Sequence, residues 1–139
     1  MENNLATLTC AFFDSIGLKY QRLGDNGEVI DTGMGGLDNL NSVRILYFFD
    51  ANGNGVQACI PQLLKVPANK INDMYAVINK VNSTYRWVKF YLDDDGDVRV
   101  EVDALLDDDS CGEECLGLFQ RLGNIADDAY PVLMKEIWK

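Results

Sequence analysis

The sequence predicts a single α+β domain spanning residues 1–139, in the order α-β-β-β-β-α-β-β-α. Three observations carry that reading. Residues 79–103 read as a helix end followed by two alternating strands around an acidic turn. Residues 43–49 (VRILYFF) form a branched and aromatic run of high strand preference. Helical spacing is confined to the two ends and to one central segment, which segregates helices from sheet instead of alternating them. At 139 residues one domain is expected, and 47% hydrophobic residues suffice for a packed core.

In chain order, Asn4 is placed to cap a first helix with Leu5, Leu8, Phe12 and Ile16 on one face, widened by Cys10 and Phe13. Gly17 is the expected stop. Leu18 to Leu23 and Glu28 to Thr32 then read as a hairpin about Gly24-Asp25-Asn26-Gly27. The glycines of Gly33-Met34-Gly35-Gly36 lack the G-x-G-x-x-G spacing of a phosphate cradle and read as a flexible connection.

In the third strand Val43, Ile45, Tyr47 and Phe49 occupy one face, and Leu46 and Phe48 the other, so cover is expected on both sides. A turn over residues 50–55 leads into Val56 to Ile60, and Pro67 closes an irregular link. A second helix from about Asn69 directs Ile71, Met74, Tyr75, Ile78 and Val81 or Asn82 inward. Asn82 is expected to cap that helix or to satisfy buried backbone. In the hairpin, Val88, Phe90 and Leu92 face Val98, Val100 and Val102 on the core side. Ser110 and Glu113 have capping-box spacing at the head of the last helix. Its stripe runs through Cys115, Leu118, Phe119, Leu122, Ile125, Ala126 and Ala129. Pro131 predicts a kink or break, after which Val132, Leu133, Ile137 and Trp138 resume the pattern.

Charge narrows the function classes. Twelve Lys and Arg against 22 Asp and Glu give a net charge of −10, which repels nucleic acid and anionic membrane and favours cationic or amphipathic partners. The polar, acidic N-terminus does not read as a signal peptide, so none is expected, and no apolar run nears the roughly 18–20 residues of a membrane span. Four scattered cysteines read as free thiols in a reducing cytoplasm. Cys111 and Cys115 have C-x3-C spacing, short of a redox pair.

With no histidine anywhere, Ser–His and Cys–His nucleophile pairs and His-ligated zinc are excluded. The carboxylates cluster in turns such as Asp107-Asp108-Asp109, where solvent keeps them acidic and poor catalysts near neutral pH. No enzyme and no cofactor is expected. Asp50, Asn52, Asn54 and Gly55 match the start of a calcium loop, but the closing position holds Pro61. Asp93, Asp95 and Asp97 match a shorter part of it and leave a weak divalent-metal or small-ligand sensor as the alternative function.

The second half of the chain resembles the YbjN family of bacterial proteins. The matching residues are Asn79 and Asn82, Tyr85 to Tyr91, the turn Asp93 to Asp97, and the strand through Val98, Val100, Val102, Ala104 and Leu105. Asp128, Tyr130, Pro131, Leu133 and Met134 complete them. The family is described as a putative sensory transduction regulator. Its fold is similar to that of class I type III secretion chaperones, which implies a homodimer that holds an extended segment of a client protein. The expected function is therefore protein binding through an apolar sheet or helix surface, with Leu46, Phe48, Trp87 and Tyr91 as the partner-binding residues. The competing reading for each is burial under a helix of its own subunit.

Overall fold

The computed structural model describes residues 2–139. The elements are α1 (Asn4–Ser15), β1 (Gln21–Leu23), β2 (Val29–Gly35), β3 (Ser42–Phe49), β4 (Gly55–Lys65), α2 (Ile71–Thr84), β5 (Lys89–Leu92), β6 (Asp97–Leu105) and α3 (Cys111–Ile137). A short 3-10 turn, Ala68–Lys70, precedes α2. The six strands form one antiparallel sheet in the order β1-β2-β3-β4-β6-β5. This is the predicted α+β architecture, with the helices on one face of the sheet.

The core lies between that face and the helices. Ile30, Val43, Ile45, Tyr47, Ala58, Val98 and Val100 are buried on the sheet side. Ala6, Phe13, Met74, Ile78, Val81, Leu118, Leu122 and Leu133 meet them from the helices. Tyr47 donates to the carbonyl of Cys115 at 2.6 Å, which ties the middle of β3 to α3. Burial pushes the Cys115 thiol up to about 12, so it packs as an inert apolar group. Gly112 lets α1 and α3 cross closely, since a Cβ there would fall 2.4 Å from that of Phe12.

Several local expectations change. Asn3, not Asn4, caps α1, its side chain accepting from the Ala6 amide at 3.0 Å. The buried face of α1 is Ala6, Thr9, Cys10 and Phe13, leaving Leu8 and Ile16 exposed. Cys10 and Phe13 are thus the centre of the stripe and not its margin. Gly33, Met34 and Gly35 belong to β2, pairing with Arg44, Val43 and Ser42, where a connection was expected. β4 runs on to Lys65 through Pro61, which sits in a register shift between Ile60 and Leu64 that removes the need for its missing N–H. Tyr75 is exposed on α2, and Val132 and Trp138 are exposed at the end of α3.

The capping box does not form. Ser110 instead donates its hydroxyl to Asp107, whose carboxylate also accepts the backbone amides of Asp109 and Ser110. Nor does Pro131 end α3, which runs on to Ile137. Without an N–H at Pro131 the Asp127 carbonyl lacks its helical partner, and it accepts the Asn39 side-chain amide at 3.0 Å. The buried Asp127 carboxylate takes three more bonds, from the backbone amides of Asp38, Asn39 and Leu40. The β2–β3 loop is thereby fastened to α3.

Candidate functional site

Alternation along each strand gives the sheet a second face, and among the described residues no helix covers it. The expectation that β3 is enclosed on both sides fails here: Phe48 is 37% exposed and Leu46 partly so. One row of this face crosses five strands as Leu23, Val29, Phe48, Gln57 and Asp103. The next crosses all six as Gln21, Asp31, Leu46, Cys59, Glu101 and Lys89. Leu105, 75% exposed, stands at the end of β6 opposite Gly55. Phe48, Leu105 and the Asp50 and Asp103 carboxylates border a shallow groove there.

Tyr91 belongs to the same face and to its polar centre. Its hydroxyl donates to Glu101 at 2.7 Å, and the same carboxylate takes Arg99 at 2.5 Å and Lys89 at 3.5 Å. Arg99 also reaches the buried Cys59 thiol at 3.2 Å. Burial acts to raise the Glu101 pKa, but hydrogen bonds from Tyr91 and Arg99 outweigh it and hold the carboxyl below its ordinary value. Burial and the Glu101 bond push the Tyr91 phenol up to about 12. A carboxylate held this firmly in its charged form is a structural anchor and a poor proton shuttle.

Trp87 lies elsewhere. The chain bends at Arg86 and Trp87, where Trp87 takes φ = +82°, a strained conformation for a bulky residue. Trp87 is 60% exposed, and two guanidiniums lie over its ring, Arg86 at 4.8 Å and Arg121 of α3 at 4.6 Å. It borders a groove between the end of β6 and the first half of α3. Of the four residues expected on one partner surface, Leu46, Phe48 and Tyr91 share the open face, and Trp87 marks a second one.

In the acidic turn, carboxylate oxygens of Asp93, Asp95 and Asp97 come within 4.8 Å of one another. Two of the three are already engaged. Asp93 accepts the backbone amides of Asp95 and Asp97, both at 3.0 Å. Asp97 accepts the Gln62 side chain at 3.0 Å, with Lys65 beside it at 4.0 Å. These bonds shape the turn. Asn82 pairs with the backbone of Phe90 in both directions, at 2.8 and 2.9 Å, fulfilling its expected role with buried backbone.

The profile of the YbjN family, described as "Putative bacterial sensory transduction regulator", matches residues 8–134. The chain belongs to the YbjN family. The match takes in both surfaces and extends well upstream of the residues that carry the resemblance in the sequence. Among solved structures the chain is similar to a YbjN protein from E. coli, titled a putative transcription regulator. The identity is 17% and the TM-score 0.52, over 94% of this chain and 89% of that one, which establishes a shared YbjN fold. The search of curated proteins returns no match. No helix of the described residues is long and apolar enough to cross a membrane.

Leu23, Val29 and Leu105 join the open face of this YbjN chain although the sequence did not mark them as partner-binding residues. The signal for Leu105 was present: it keeps phase with Arg99, Glu101 and Asp103, not with Val98, Val100 and Val102.

Proposed function

We propose that this YbjN-family chain is a cytoplasmic, non-enzymatic regulatory domain that acts by binding protein, and that two copies pair through the open sheet face. The observation that carries the reading is an uncovered face whose apolar residues lie among charges that offset one another. Across its middle rows Arg44, Lys89 and Arg99 stand against Asp31, Glu101 and Asp103, while the whole chain carries −10. Two copies of an acidic protein repel least where the surface is locally neutral. Leu23, Leu46, Phe48 and Leu105 supply the apolar contact that association needs. The absence of histidine and the depressed Glu101 pKa favour binding over catalysis.

Light scattering tests the pairing: the wild type should have the mass of two chains and Phe48→Glu that of one, with unchanged circular dichroism. A monomeric wild type would refute the pairing. Affinity capture from the native bacterial host, followed by mass spectrometry, tests the regulatory role. A stoichiometric protein partner is expected, and its absence across growth conditions would sink that role.

A further inference from the structure

The second surface has a geometry of its own. β4 pairs with β6 along its full length, from Lys65 opposite Asp97 to Gly55 opposite Leu105. On the other side β5 covers only Val98 to Glu101. Extending that register backwards would set Val88 against Val102 and Trp87 against Asp103. The positive φ at Trp87 prevents it, because an extended strand needs negative φ, and the chain turns away to α2. Val102 to Leu105 are left as a strand edge with no neighbour among the described residues.

Antiparallel alternation fixes which backbone groups face that gap. Phe90 bonds outward to Asn82, so Lys89 and Tyr91 are the β5 residues that bond to β6, at Glu101 and Arg99. The same phase turns the N–H and C=O of Asp103 and Leu105 toward the uncovered side. Beside them, Trp87 and Leu118 give the groove apolar walls. Gly117, one helical turn from both Glu113 and Arg121, opens its floor: a Cβ there would meet nothing closer than 3.9 Å. Asp103, Glu113 and Glu114 are three acidic residues among those that line it, against one basic lining residue, Arg121, which lies over Trp87 as Arg86 does.

We propose that this edge accepts an extended segment of a partner protein as an added strand, one in which apolar residues alternate with Lys or Arg. Main-chain bonds form to Asp103 and Leu105, an apolar side chain settles between Trp87 and Leu118 on the helix side, and the cations point to the opposite side beside Asp103, within the acidic field that Glu113 and Glu114 extend. A second copy of this chain is disfavoured here, since pairing two such edges would bring like carboxylates together. The proposal rests on the protein-binding reading and names the chemistry of the partner. It does not depend on the open-face pairing.

The test uses a fluorescent eight-residue peptide alternating Val and Lys, titrated into the full chain at physiological salt and followed by anisotropy. Saturable one-to-one binding is expected. It should weaken at least tenfold with Gly117→Leu, which fills the groove with a better helix former, and with a peptide carrying Pro at the central position. Phe48→Glu should leave it within twofold. No saturable binding overturns the proposal, as does equal binding by Gly117→Leu or by the Pro peptide, either of which would mean bulk charge attraction. Light scattering on Gly117→Leu keeps the two readings apart, because the dimer should persist when the peptide is lost.

Discussion

The two faces of the sheet are built from the same strands and obey different rules. Toward the helices, Ile30, Ile45, Tyr47, Val98 and Val100 are fully buried and almost wholly apolar. On the other side, Leu46 and Phe48 share their rows with Glu101, Lys89 and Asp103. Cys59 and Glu101 are as buried as many core residues, yet other open-face side chains cover them. Burial on this face is thus achieved by a hydrogen-bonded lid instead of a second layer of secondary structure. A face that buries its own carboxylate under Arg and Tyr has no need of a helix, and its apolar members stay available.

Mutations should separate the faces by size of effect. The largest loss is expected on the covered side: Ile45→Ala should destabilise by about 3–4 kcal/mol in a urea titration, through lost burial and the cavity left behind. Asp127→Ala removes the acceptor of three loop amides and should cost about 3 kcal/mol, with faster hydrogen exchange at Asp38 to Leu40.

Glu101→Gln on the open face is expected to cost less, about 1–2 kcal/mol, by leaving Arg99 and Lys89 without a counter-charge. Its effect should depend on pH. The Glu101 pKa is depressed in the folded protein, so its contribution is complete above the ordinary carboxylate range and fades as pH falls through the folded value. The gap between wild type and Glu101→Gln should therefore close in acid, and a constant gap would contradict the network. Phe48→Ser comes last, expected within about 0.5 kcal/mol for the folded monomer while reducing self-association. A loss as large as that of Ile45→Ala would erase the distinction between the faces.

How much of this was legible in the sequence follows from which interactions are local. The hairpin of β5 and β6 shows plainly because alternation and the Asp-Gly turn lie within a few residues of each other. The run VRILYFF identifies a strand but says nothing of which face is covered, since that depends on helices distant in sequence, α1 through Phe13 and α3 through Cys115. The same holds for the Ser110 capping box, displaced by Asp107, and for Pro131, whose expected break is relieved by Asn39 from another loop. Of the proposed binding residues, Phe48 and Trp87 were visible in the sequence as candidates for one common surface. Their separation was not, because the bend at Trp87 depends on a backbone conformation that a tryptophan rarely adopts.

The Asn82 carboxamide has a consequence for how large an assembly can grow. It presents one donor and one acceptor to Phe90 as a neighbouring strand would, and so terminates that stretch of the sheet with a side chain of the same molecule. At the far end β1 is three residues long and offers little to template. Indefinite stacking of subunits edge to edge needs two matching open ends, and among the described residues the four-residue edge of β6 has only the three-residue β1 at the other end of the sheet to match it. It is a capped unit, able to take up a short strand without nucleating a fibre.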